Sequence, residues 1–178
     1  MKVLIGCAYS DVERNEFRKR GNDAWSCDLL PSENGSKFHI QGDVLEVLND
    51  GWDLAIFHPD CTYLTCSAAW AYGDGPYHQK TKPGTLVGQA RRDAREEALM
   101  FVDRLMKSKI PRKCIENPAI NFINTAIRKP DQVIHPNEYG HDASKATGLW
   151  LDNLPKLCPT KIIVPRLVCC GVALDAET

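Results

Sequence analysis

Cys61, Glu116, Asp28 and Asp43 carry the side chains best suited to chemistry, and each stands at the edge of a short apolar run. Cys61 closes HPDC (58–61), a polar loop in which a thiolate can be exposed and its pKa lowered by neighbours. It reads as a nucleophile or as one of the inert thiols that free cysteines usually are. Glu116 ends the run KCIEN (113–117) with Asn117 and Pro118 behind it, so its carboxylate should face the same edge as Cys61. A buried carboxylate there can hold or donate a proton to a ring nitrogen, and the plain alternative is an ion pair with a nearby Arg or Lys. Asp28 closes AWSCD (24–28), where an acid either accepts from ribose hydroxyls or caps a loop. Asp43 in QGDV (41–44) can accept from an adenine amino group, although capping the following turn is the simpler role. His58, Cys61 and Cys66 also have a metal reading, but that set lacks a clear fourth ligand.

These residues need a scaffold, and the apolar runs supply one. KVLIG (2–6), AWSCD, DLAIFH (53–58) and KCIEN read as strands alternating with helical patterns, the signature of βαβ units and a mostly parallel sheet. Residues 11–20 suit a helix ending at Gly21, with Val12 and Phe17 on one side and Arg14, Arg18, Lys19 and Arg20 elsewhere. VLEVLND (44–50) reads as a short helical turn. From Gln89 to Ser108, Ala94, Ala98, Val102 and Leu105 recur at helical spacing against a charged face. QVI (132–134), GLWL (148–151) and KIIV (161–164) are further strand candidates, with Trp150 in the core. The stretch from Ala71 to Gly88 is the most loop-like, and long loops of that kind often form lids or binding segments. In an open sheet of this kind ligands bind beyond the carboxyl ends of the strands, which is where CAYSD (7–11), Asp28, HPDC and ENP (116–118) fall.

At 178 residues and 43% hydrophobic content the chain should form one domain with its own core. Its 22 basic and 23 acidic side chains nearly cancel, so no global positive field points to a polyanion partner. The eight cysteines contain no Cys-x-x-Cys pair, no secretory signal precedes them, and no apolar run is long enough for a bilayer. A reduced, cytoplasmic protein is expected. Arg91, Arg92 and Arg95 read as a solvated helix face or as phosphate contacts. Trp70, Tyr72 and Tyr77 either stack on a base or close their loop over the core.

Taken together, HPDCTYL (58–64) and IENP (115–118) resemble the Pro-Cys and Glu-Asn elements of the cytosine-5 DNA methyltransferase family, especially short phage or prophage DNA-methylase-like proteins. GCAYSDVERNEFRKRG (6–21) looks like the family's cofactor loop and first helix, and YGHDASKATGLWL (139–151) like its later segment of basic residues entering a strand. The ordered matches span roughly residues 3–151.

The resemblance implies a Rossmann-like class I methyltransferase core: a mostly parallel sheet with helices on both faces, in a single domain over residues 1–178, without a target-recognition domain. It implies S-adenosylmethionine as cofactor and DNA or a cytosine nucleotide as substrate, with a homo-oligomer or a protein partner able to supply target recognition. Cys61 would add to carbon 6 of cytosine, Glu116 would engage ring nitrogen 3, Asn117 would position Glu116, and Lys145 would support the site. A target within a duplex would first have to leave the stack. Cofactor contacts would come from Cys7, Ala8, Tyr9, Ser10, Asp28, Leu29, Asp43, Val44, His58 and Pro59.

Two residues depart from the family pattern. Asp11 stands where a glycine is expected and would crowd the cofactor's carboxylate, and Asp60 stands where the family has proline, placing a negative charge beside the thiol. Both departures support a rival, a catalytically weakened relative that binds nucleic acid, nucleotide or a protein.

Overall fold

The computed structural model describes residues 1–77 and 81–165; Cys169 and Cys170, counted above, lie outside them. Five strands run parallel: β1 (Lys2–Gly6), β2 (Asp23–Asp28), β3 (His39–Gln41), β4 (Leu54–Phe57) and β5 (Lys113–Pro118). Beyond β5 lie β7 (Thr147–Asp152), antiparallel to it, and β6 (Gln132–Ile134), giving the order β3-β2-β1-β4-β5-β7-β6. The expected α/β architecture with a mostly parallel sheet is present. No helix among the described residues is long and apolar enough to cross a membrane.

Strand alternation sends side chains to two cores. Val3, Ile5, Ala24 and Leu54 pack on one face with Phe17 of α1 (Val12–Lys19). On the other face Leu4, Phe57, Ile115 and Trp150 join Val102 and Leu105 of α2 (Gly88–Met106) and Ile123 of α3 (Ile123–Ala126). Helices therefore cover both faces, as β strands buried on both sides require. Trp150 is buried as expected, and its indole N–H donates to the Arg128 carbonyl at 2.8 Å.

Three local expectations need correction. His39–Gln41 forms a strand that its composition hides, because Ile40 is its one apolar residue and it is only three residues long. KIIV forms no strand; Lys161 makes an isolated bridge to Tyr139 instead. In α1 Arg14, 1% exposed, turns inward as Phe17 does, while Val12 is 67% exposed.

Arg14 is buried because it has partners. Its guanidinium pairs with Asp11 at 2.6 Å and donates to Ser26 Oγ at 2.9 Å, while the Ser32 hydroxyl donates to Asp11 at 2.9 Å. Burial alone would raise the Asp11 carboxyl, but hydrogen bonds from Asn34 and Ser32 and the Arg14 charge override it and hold the group below its usual range. Asp11 thus faces Arg14 and Ser32, and it lines neither of the cavities at the ends of β1 and β4 described below.

Asp11→Ala, which strands a buried guanidinium, should destabilise the fold by about 3–5 kcal/mol in chemical denaturation. The Asp11 carboxylate contributes stability above its ordinary value of 3.8, and that stability is lost as pH falls through the lowered folded value. The alanine variant should lack that acid-side loss; an unchanged acid limb would remove Asp11 from the account.

Candidate cofactor and catalytic site

The strand order reverses between β1 and β4, and loops leaving those strands diverge to open a crevice at their carboxyl ends. Gly6 is needed at its base, because a Cβ there would come within 2.8 Å of Val44 Cγ2 and nearer still to the Phe57 ring. The next residue, Cys7, turns the chain with φ 57°, a left-handed conformation that favours glycine and marks a locally strained turn. Burial first, then Asp28, Cys27 and Asp43, push the Cys7 thiol up to about 12, so it stays neutral.

A cavity of about 650 Å³ fills the crevice. Cys7, Tyr9, Asp28, Leu29, Asp43, Val44 and His58, all expected cofactor contacts, line it, together with Asp60 and Phe101. Asp28 accepts from the Leu30 N–H and Asp43 from the Leu45 N–H, both at 2.9 Å, so each acid holds its own loop while standing on the cavity wall. For Asp43 the capping role is real and coexists with cavity exposure. A smaller adjoining cavity of about 300 Å³ takes Ala8 and Ser10 and shares Cys7, Tyr9 and His58 with the first. Pro59 is buried and reaches neither cavity.

His58 joins two elements. Its Nε2 lies 2.8 Å from Glu13 of α1 and its Nδ1 lies 3.1 Å from Glu116 of β5. Burial alone would lower its pKa, but hydrogen bonds to the two carboxylates and their charges raise it to about 9. The ring is therefore an imidazolium at neutral pH. Glu116, flanked by this cation, opens with Glu13 and His58 on a third cavity of about 370 Å³ on the α1 face, walled mostly by apolar side chains such as Phe17, Ile56 and Leu149. Burial, then Glu116, Glu13 and Asp131, push the neighbouring Cys114 thiol up to about 12.

Cys61 is half-buried in the next turn, and its carbonyl accepts from the Leu64 and Thr65 N–H groups at 3.0 Å. It lines none of the three cavities, so the structure does not bring the Cys61 thiol and the Glu116 carboxylate onto one wall. Asp60 makes the turn rigid in place of proline: its Oδ1 accepts from both the Thr62 N–H and the Thr62 hydroxyl. Asn117 is 2% exposed and donates from Nδ2 to the Pro59 carbonyl at 2.8 Å, which ties the Cys61 loop to β5. Lys145 is exposed; because β7 runs antiparallel, it reaches the same edge, where the Ala119 N–H donates to the Ala146 carbonyl.

Sequence reasoning missed Glu13, which lies in the first turn of α1, and misread the arginines. Arg91 is buried and donates to the Thr62 and Leu86 carbonyls, with its guanidinium over Tyr63 and Tyr72. Arg95 lies over Tyr72 and Phe122, and Arg92 donates to the Tyr72 carbonyl and pairs with Asp74. The Tyr72 hydroxyl donates to the Tyr63 carbonyl, so this ring closes the loop over the core. The signal was Tyr63, Trp70, Tyr72 and Tyr77 preceding three arginines within one segment.

The His58 ring should keep both protons until about pH 9 when followed by nuclear magnetic resonance, and Glu13→Gln or Glu116→Gln should each lower that midpoint. The bridge contributes stability in full below the ordinary imidazole value of 6.5 and loses it as pH rises through about 9. A wild-type midpoint near 6.5 would show that the bridge does not form in solution. No protein-family model matches this sequence, and no curated protein matches it.

Proposed function

We propose that the protein is an S-adenosylmethionine-dependent methyltransferase acting on carbon 5 of cytosine, in DNA or a related nucleotide. The observation that carries this reading is the acidic cavity at the strand-order reversal, with Asp28, Asp43 and Asp60 on its wall. Its volume of about 650 Å³ falls within the range of about 300–1,000 Å³ for small-molecule sites. A dinucleotide pyrophosphate would need a glycine-rich turn leading to an open helix N-terminus. Here Gly6 is followed by Cys-Ala-Tyr-Ser-Asp, and the Asp11 carboxylate occupies the start of α1. Such a wall favours a nucleoside that carries positive charge, and a sulfonium nucleoside meets that requirement.

Asp28 and Asp43 would hold the ribose and adenine, and the loop at 7–10 would meet the methionine end. The bound cofactor would supply an electrophilic methyl group. Cys61 would attack carbon 6 of the ring, Glu116 would engage ring nitrogen 3, and Asn117 would fix the Cys61 loop through Pro59. Lys145 would support the same edge. The substrate would be DNA or a cytosine nucleotide, and a second copy or a protein partner would supply target recognition in the DNA case.

One observation favours a second reading. Glu116 is engaged by His58 and shares no cavity with Cys61, which suits a weakened relative that keeps the nucleotide site for binding. Incubation with a 5-fluorocytosine substrate and S-adenosylmethionine separates the two. Wild-type protein should form a covalent adduct and Cys61→Ser should form none. Equal trapping by the variant removes Cys61 from the mechanism, and no trapping by either favours the binding relative.

A further inference from the structure

We infer that the cavity on the α1 face of β4, β5 and β7 is a binding site for a small amphiphilic cation, an aryl or branched alkyl group carrying an amidinium or ammonium. Strand alternation turns Leu54 and Ile56 of β4, Cys114 of β5, and Leu149 and Leu151 of β7 to this face. Central strands with apolar side chains on both faces need a cover on each. On this side α1 packs mainly on β1 and β2, and it reaches the cavity with Glu13 and Phe17, one helical turn apart. Ile56, Cys114 and Leu151 are therefore left only partly buried. The volume of about 370 Å³ lies at the small end of the range of about 300–1,000 Å³ for small-molecule sites, which sets the size of the occupant.

The polar end of the cavity sets the sign of its charge. Glu13, His58 and Glu116 close it at the carboxyl ends of the strands. Each glutamate meets His58 through Oε2, Glu13 at Nε2 and Glu116 at Nδ1, and neither pairs with a Lys or Arg among the described residues. Both ring nitrogens are thus taken. The end offers a ligand the two Oε1 atoms as acceptors and no side-chain N–H, so an anionic head group would meet two carboxylates without a donor. With an imidazolium the three groups sum to one negative charge, and with a neutral ring to two, so the sign is the same in either state. A cation that brings N–H donors satisfies this end, and the apolar walls require that the rest of the molecule be hydrocarbon. Glu116 is also the residue assigned above to ring nitrogen 3, so an occupant competes with that role and the cavity is placed to regulate it.

Nuclear magnetic resonance titration of the full chain, without cofactor, tests the site with three probes of one shape: benzamidine, neutral benzamide and anionic benzoate. Benzamidine should shift the methyl signals of Ile56, Ile134, Leu149 and Leu151 and bind about tenfold or more tightly than either of the others. Glu13→Gln should weaken benzamidine by about tenfold and leave benzamide unchanged, and Glu116→Gln should do the same. Glu13 is a partly exposed helix residue, and an unaltered methyl spectrum away from the cavity reports that its variant is folded. Benzamide or benzoate binding as tightly as benzamidine overturns the inference, as does benzamidine binding that both variants retain. Shifts confined to 28–30 and 42–44 would place the cation in the crevice and overturn the site on the α1 face, while leaving the cofactor reading in place. No shift with any probe also overturns it.

Discussion

Strands β1 and β4 lie side by side, yet their chains leave in opposite directions: β1 leads through α1 on one face to β2, and β4 leads towards α2 on the other face and then to β5. Two adjacent loops that must part cannot pack on each other, so the sheet carries an opening at that edge. Gly6 brings the β1 turn down onto Phe57 and Val44, and Cys7 bends it left-handed. The floor of the crevice is thereby a neutral thiol and apolar side chains, while its wall holds carboxylates.

Buried polar contacts fix the loops that surround this opening. Asp11 and Arg14 hold the β1 loop against the Ser26 and Ser32 hydroxyls, and Asn117 holds the Pro59 carbonyl next to the Cys61 turn. Asn121 donates to both Asn117 and the Pro118 carbonyl, and the Phe122 N–H donates to the Leu64 carbonyl. Each contact satisfies a group that would otherwise be buried without a partner, and each therefore resists loop movement. His58 lies between these two systems and links α1 to β5 through paired charges.

The sheet was legible where apolar residues run unbroken. Val3–Leu4–Ile5 and Leu54–Ala55–Ile56–Phe57 read as central strands, and Ala94, Ala98, Val102 and Leu105 as a helix packed on them. His39–Gln41 was not legible, because it is held mainly by backbone pairing to β2, which leaves no trace in side-chain type. Arg14 and Arg91 were misread for one reason: charge signals exposure until a partner is known. Asp11 lies three residues from Arg14 on one helical turn, whereas Arg91 meets Thr62, 29 residues away. Among the candidate site residues on the cavity wall, Cys7, Tyr9, Asp28 and His58 follow strand ends and were found by that rule, whereas Asp43 follows the strand that was not legible. Glu13 escaped the rule because it sits in the first turn of a helix, and the Glu116–His58 contact escaped because it joins side chains 58 residues apart.

The central claim is that the crevice between β1 and β4 binds a sulfonium nucleoside or its demethylated product. Hydrogen exchange of the backbone amides, with and without S-adenosylhomocysteine, addresses it residue by residue. The account predicts slower exchange at 7–10, 28–30 and 42–44, the three loops that wall the cavities. Unchanged exchange at all three, or slowing confined to other segments, would contradict it.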